Sequence, residues 1–195
     1  GTTLTNSGVV QVEDSSNTVT IQGDVGGSAA FSGTDIDYNL LDLTIARLLY
    51  YPSMSLAANE DVVFIDSSVL ASTLTLALSS SITINGCTLN TAAINNSGTI
   101  YLDGTNGATT LSLDSGTTLT NSGVVQISNS DNTVTIQGDA IGTASFSGTD
   151  IDYNSLDVTL SRLTYNPAVS LGASEGITLG GAVTFASTVT LNGAG

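Results

Sequence analysis

Shifted by 115 residues, the chain lies on itself without a gap. GTTLTNSGVVQ at 1–11 recurs at 116–126, NTVTIQGD at 17–24 recurs at 132–139, and FSGTDIDYN at 31–39 recurs at 146–154. The match then thins, yet ASTLTL at 71–76 still answers ASTVTL at 186–191. The 195 residues therefore hold one full unit, 1–115, and part of a second, 116–195. Self-similarity at a fixed interval is the mark of stacked repeats, so the expectation is one continuous rod, read as a mature segment of a longer array.

A finer pattern lies inside the unit. Short alternating runs end in turns: TVTIQG (18–23), SITING (81–86), TLSLDSG (110–116) and TVTLNG (188–193). Val19 and Ile21 point one way and Thr20 the other, the period of a half-buried strand. Asn-Ser-Gly occurs at 6–8, 96–98 and 121–123, and Asn and Gly tolerate left-handed backbone, which predicts sharp corners there. DLTIARLLYYP (42–52) has some helical character, but its counterpart DVTLSRLTYNP (157–167) reads as strand, and strand is expected for both.

Two all-β architectures accommodate such a unit. One is a string of sandwiches, which needs bulky inner faces and a linker near residue 115. The other is a parallel β-helix (β-solenoid), whose narrow core suits Val, Ile, Leu, Thr and Ala. With no Trp and no Pro-rich linker, the solenoid is favoured, with about six coils of roughly 19 residues per unit. That coil count predicts about ten coils for the chain and places residues 115 apart at the same azimuth, Tyr38 with Tyr153 and Phe31 with Phe146 in the core.

Composition removes many functions. There is no His and no Lys, so neither a Ser-His-Asp triad, an imidazole metal site nor a P-loop is available. Seventeen acids face two bases, Arg47 and Arg162, for a net charge of −15. Nucleic acid and anionic membrane surfaces are excluded as partners, and no apolar run is long enough for membrane insertion.

The remaining candidates are few. Asp35, Asp37 and Asn39, repeated as Asp150, Asp152 and Asn154, alternate, so in a strand their oxygens share a face and suit Ca²⁺. The fold itself requires no cofactor, and Ca²⁺ is the one candidate. The alternative is a solvated acidic face. Arg47 and Arg162 recur in register, as structural residues do, and are expected to pair with a stacked Asp, for instance Asp42 or Asp157. Glycoside hydrolysis needs only two carboxylates, but the neighbouring acids do not persist: Glu13-Asp14 becomes Ser128-Asn129, and Asp61 becomes Gly176. Thr-x-Thr steps (3/5, 18/20, 73/75, 118/120, 133/135, 188/190) raise a flat ice-binding array, against plain solvent-facing strand. Cys87 has no partner in the chain, and Asn95-Asn96-Ser97 is a lone glycosylation sequon.

LTNSGVVQV (4–12), INNSGTIYLDG (94–104) and GITLGGAVTFASTVTLNGAG (176–195) resemble the passenger regions of filamentous-haemagglutinin-type, two-partner-secreted adhesins and autotransporters. The resemblance implies a right-handed parallel β-helix, secreted and held at a bacterial cell surface. The expected function is a non-enzymatic structural segment whose partner is itself, by head-to-tail stacking or through flanking repeats. The runner-up is a Ca²⁺-dependent adhesin module bound to a surface glycan, and the third a carbohydrate-active β-helix.

Overall fold

The computed structural model describes residues 1–13, 19–25, 29–40, 42–141 and 143–192. Among them the strands are β1 (Thr3–Asn6), β2 (Val19–Gln22), β3 (Ala29–Gly33), β4 (Asp42–Ala46), β5 (Leu48–Tyr50), β6 (Met54–Leu56), β7 (Asp61–Phe64) and β8 (Ser68–Leu70). There follow β9 (Leu74–Leu76), β10 (Ser81–Asn85), β11 (Thr88–Thr91), β12 (Ile94–Asn96), β13 (Thr99–Asp103), β14 (Thr109–Leu113), β15 (Thr118–Asn121) and β16 (Val124–Asn129). The last are β17 (Val134–Gly138), β18 (Ala144–Gly148), β19 (Asp157–Ser161), β20 (Leu163–Tyr165), β21 (Val169–Leu171), β22 (Gly176–Leu179), β23 (Val183–Phe185) and β24 (Val189–Leu191). No helix occurs among the described residues.

Every ladder is parallel, and strands three apart in the winding lie beside one another, as a β-solenoid requires. The coil has three faces. The first stacks β1-β3-β5-β8-β11-β14-β17-β19-β22, and the second β6-β9-β12-β15-β18-β20-β23. The third stacks β2-β4-β7-β10-β13-β16. Two non-strand segments fill the gaps. Residues 35–38 lie below β6, bridged to Gln11 at Asp37, and 150–153 lie above β16, bridged to Gln126 at Asp152. β21 and β24 continue the third face, Ser170 N–H reaching Asp150 below it. The nine strands of the first face define about eight turns.

Alternation builds the core. On the third face Leu43, Val62, Ile82, Ile100 and Val125 form one inward column, and Ile45, Phe64, Ile84, Leu102 and Ile127 the next. All ten are buried to 1% exposure or less. Burying side chains of this size stabilises by about 1.5–3 kcal/mol each, which offsets the ordering of the short strands that carry them. β4 and β5, and β19 and β20, are strands, as the second copy indicated, with Arg47 and Arg162 as one-residue corners between them.

The repeat does not return to the same face. β1, β3 and β5 belong to the first face, whereas their counterparts β15, β18 and β20 belong to the second. The column Leu4–Phe31–Tyr50–Leu70 on the first face reappears as Leu119–Phe146–Tyr165–Phe185 on the second. Tyr38, Tyr153, Phe31 and Phe146 are all core residues, but the expectation of equal azimuth is corrected to a step of one face. The reason is coil length. Neighbouring rungs separate by as few as 18 residues, Ser81 from Thr99, and as many as 27, Thr3 from Ala30. The unit thus spans sixteen face segments, five coils and a third, and the chain makes nine layers rather than ten.

The Asn-Ser-Gly corners also differ from expectation. Asn6, Asn96 and Asn121 are buried, and none has a positive φ. Their side chains turn inward and tie coils together: Asn96 Nδ2 donates to Asn121 Oδ1 (2.8 Å) and to the Val124 carbonyl (2.9 Å), and Asn121 Nδ2 to the Thr149 carbonyl (3.0 Å). At Gly98 and Gly123 the preceding coil passes too close for a Cβ, which at Gly123 would sit 2.2 Å from the Gly98 carbonyl oxygen, whereas Gly8 has open space.

Candidate functional site

The duplicated GTDIDYN segment gathers a carboxylate, two tyrosine hydroxyls and two backbone N–H groups in each copy. After Gly33 the backbone leaves the strand, and Ile36 and Tyr38 bury themselves while Asp37 and Asn39 remain exposed. Asp35 turns toward Tyr38 and Tyr50. Its Oδ1 accepts from the Tyr50 hydroxyl in a short bond, from Ile36 N–H (2.9 Å) and, at the limit of bonding, from the Tyr38 hydroxyl (3.5 Å). Its Oδ2 accepts from Ser55 N–H of the coil above (2.9 Å). Tyr50 Oη in turn accepts from Ile36 N–H (3.1 Å). Asp150 repeats the arrangement with Ile151, Tyr153, Tyr165 and Ser170.

The electrostatics follow from burial. Desolvation raises the Asp35 carboxyl above its ordinary value, outweighing the hydrogen bonds from Tyr50, Ser55, Ile36 and Tyr38 that favour its ionised form. Burial first, and then the nearby carboxylate and tyrosine, hold the Tyr38, Tyr50, Tyr153 and Tyr165 hydroxyls above the usual phenol range. These phenols are donors at any physiological pH.

The three oxygens expected to line one face therefore separate. Asp35 faces the tyrosines, Asp37 accepts from Asn39 N–H (3.1 Å), and Asn39 sits in the left-handed region with φ 51°. Asp152 and Asn154 repeat the turn, and Asp152 also accepts from Gln126 Nε2 (3.0 Å). Alternation holds from Ile36 to Asn39, and the exception is Asp35, whose carboxylate turns in to the tyrosine hydroxyls. Among the described residues no three or more Asp, Glu or Cys side chains are grouped to hold a metal ion.

Arg47 and Arg162 occupy left-handed corners, φ 53° and 51°. Arg47 pairs with Asp66 of the next coil and donates from Nε to the Gly23 carbonyl (3.0 Å) and from a guanidinium N–H to Gln22 Oε1 (3.1 Å). Arg162 donates to the Gly138 (3.3 Å) and Asp139 (3.1 Å) carbonyls and to Gln137 Oε1 (2.8 Å). The stacked carboxylate is thus Asp66 and not Asp42, and its counterpart position holds Gly181. Asp42 and Asp157 begin their strands, against Asp61 and Gly176 respectively.

Glu60, which the sequence offered only as the neighbour of Asp61 in a candidate acid pair, is a structural carboxylate. Its Oε2 accepts from Ala57 N–H (2.7 Å) and its Oε1 from Leu40 N–H (3.3 Å), closing a turn whose Asn59 has φ 65°. Glu175 does the same for Gly172 and Ser155. The signal was available: Glu60 is an acid retained in the second copy while Asp61 beside it is not. Glu13 is described, and Asp14 and Thr18 lie outside the described residues. Cys87 is buried against the Phe64 carbonyl, and burial pushes its thiol up to about 11. Asn95 is exposed on β12.

An open groove of about 450 Å³ is lined by Ser130–Val134, Asp157–Thr159 and Thr178. Asp131 and Asp157 face it, with no aromatic ring among its described lining.

Fold and site together define a three-faced parallel β-solenoid whose repeated polar side chains brace corners between coils. No protein-family model, curated protein or solved structure matches the chain.

Proposed function

We propose that the chain is a non-enzymatic structural rod, a segment of a secreted, repetitive surface or filament protein that gains length coil by coil. One observation carries this reading: the buried and half-buried polar groups that recur with the repeat, Asp35 and Asp150 foremost, are engaged in bracing the chain's own coils and turns. Asp35 and Asp150 clamp tyrosines and the coil above, Glu60 and Glu175 close turns, and the Asn ladder ties strand ends. A catalytic or ligand-binding carboxylate needs open valence, and these carboxylates are occupied by the chain's own donors. The extracellular setting rests on the resemblance to secreted adhesins and suits a rod of charge −15, which repels its neighbours sideways and stays dispersed.

The test is length. A chain carrying one further 115-residue unit should lengthen by about 26 Å, sixteen segments over three faces at about 4.8 Å per layer. Small-angle scattering reads this directly. An added unit that thickens the particle without lengthening it would refute the rod.

A further inference from the structure

Asn followed by Gly is chemically labile, because glycine has no side chain to shield its amide nitrogen from the neighbouring carboxamide. The chain holds this pair at 85–86, 106–107 and 192–193. Gly193 lies outside the described residues. The other two pairs sit on consecutive coils, one against the other: a Cβ at Gly86 would stand 2.7 Å from the Asn106 carbonyl carbon and 3.0 Å from the Asn106 Cβ. The same two residues are thus held in neighbouring layers under very different restraint.

Asn85 closes β10 and pairs with Asp103 of β13. The Gly86 N–H donates to both the Asp103 carbonyl (3.1 Å) and Thr109 Oγ1 (2.9 Å), and Asn85 Oδ1 is buried. Swinging the Gly86 nitrogen onto Asn85 Cγ would break both bonds and the end of the ladder. Asn106 stands instead in the corner between β13 and β14, where Thr105, Asn106 and Ala108 are exposed. The Gly107 N–H reaches the Gly104 carbonyl only at 3.4 Å, the limit of bonding.

We propose that Asn106 is a site of spontaneous modification by water in the folded rod, and that the fold withholds the same reaction from Asn85. The Gly107 nitrogen loses its proton to solvent base and bonds to Asn106 Cγ. The bond from Cγ to the side-chain nitrogen breaks, and that nitrogen leaves as ammonia, a proton returning to it. Water then opens the five-membered imide. Cleavage between the ring nitrogen and Cγ leaves aspartate, and cleavage between that nitrogen and the main-chain carbonyl carbon leaves isoaspartate. One water is consumed, one ammonia is released, and the corner gains a carboxylate with no oxidant, reductant or cofactor. Isoaspartate also lengthens the main chain by one atom. Corner length already varies between layers, from 97–98 to 104–108, so this exposed corner has room for it. The proposal does not depend on the structural role given to the rod above.

Mass spectrometry of chymotryptic peptides reads the two sites separately, because 79–89 carries Asn85 as its one Asn and 103–111 carries Asn106 as its one Asn. The full chain is incubated in mildly alkaline buffer, folded in one sample and unfolded in urea in the other. Each hydrogen bond on the Gly86 N–H restrains ring closure about fivefold, so the folded chain should convert Asn106 at least about tenfold faster than Asn85. The product in 103–111 should contain both aspartate and isoaspartate. In urea the two rates should converge to within about threefold, since both pairs are then free. Equal rates in the folded chain would overturn the proposal, as would an Asn106 that converts in urea and stays intact in the folded chain. A tenfold gap that persists in urea would overturn it too, because sequence and not fold would then set the rate.

Discussion

Removing the Asp35 carboxylate tests the account of the duplicated clamp. Asp35→Ala deletes the acceptor of four donors, but they suffer unequally. Ser55 N–H is exposed and finds water. Ile36 N–H keeps the Tyr50 oxygen at 3.1 Å. The Tyr38 hydroxyl loses a bond already at 3.5 Å. The Tyr50 hydroxyl, on a residue with 0% exposure, is left without an acceptor. An orphaned buried donor costs about 1–3 kcal/mol and a lost ordinary bond about 1 kcal/mol, so the variant should lose about 2–4 kcal/mol. Tyr50→Phe in the same chain removes the orphan, and the double variant should be less destabilised than the sum of the single ones. The coupling should be about 1–2 kcal/mol, read from urea unfolding of the four chains. Asp150→Ala with Tyr165→Phe should show the same coupling one face away. Additive single effects at both sites would mean that the carboxylate–phenol contact contributes no stability, and the bracing role would fall.

Acidity gives a signed prediction. The folded carboxyl of Asp35 is raised above its ordinary 3.8, so between that value and the raised one the folded state holds more protons than the unfolded state. Its contribution should therefore make the protein more stable as pH falls through the raised value toward 3.8, and Asp35→Asn should remove that share of the melting-temperature rise. Gly138→Ala would place a Cβ 2.1 Å from the Arg162 carbonyl oxygen and should cost about 3 kcal/mol, measured by chemical unfolding. Gly116→Ala has open space but φ +71° and should cost only about 1 kcal/mol. The pair Arg47–Asp66 is partly exposed, so Asp66→Ala should cost less than about 1 kcal/mol and lose its effect in 1 M salt. Ca²⁺ and Na⁺ at matched ionic strength should raise the melting temperature equally; a larger rise with Ca²⁺, reduced by Asp37→Ala with Asp152→Ala, would show a metal site.

The strands and their inward residues were legible because alternation is a local property. Ile82 and Ile84 or Val134 and Ile136 declare themselves within five residues. The face on which each strand lies was not legible, because it depends on how many residues each corner consumes. The corner between β12 and β13 takes Ser97 and Gly98, while that between β16 and β17 takes Ser130–Thr133. No mean coil length recovers such differences, and small errors accumulate into a wrong face after five turns. The partners of the polar side chains were not legible for a related reason. Alternation put Asp35 on one face with Asp37 and Asn39; it holds from Ile36 to Asn39, but Asp35 is drawn in by the Tyr50 hydroxyl. A stacked Asp was expected for Arg47, with Asp42 or Asp157 as examples; the stacked Asp is Asp66, one coil further on. Asn6, Asn96 and Asn121 were read as turn formers, while their amides serve the interior.

Sixteen segments per unit on a three-faced coil has a consequence for what the rod can present. A flat array needs the same side chain on the same face in successive layers. Thr3 and Thr5 lie on the first face, but their copies Thr118 and Thr120 lie on the second. Thr135 lies on the first face, Thr75 on the second, and Thr190 on the third. No unit of this kind can lay down a one-sided hydroxyl plane, which removes the geometric basis of ice binding. The Asp35 clamp on the second face and the Asp150 clamp on the third obey the same rule. Any feature written once into the unit therefore winds around the axis and regains its starting face only after three units. What remains constant from copy to copy is the fit of one coil on the next, which is why Leu4–Phe31–Tyr50 and Leu119–Phe146–Tyr165 are stacked alike on different faces. The repeat preserves axial packing and leaves azimuth free, the arrangement of a rod that meets its surroundings from every side.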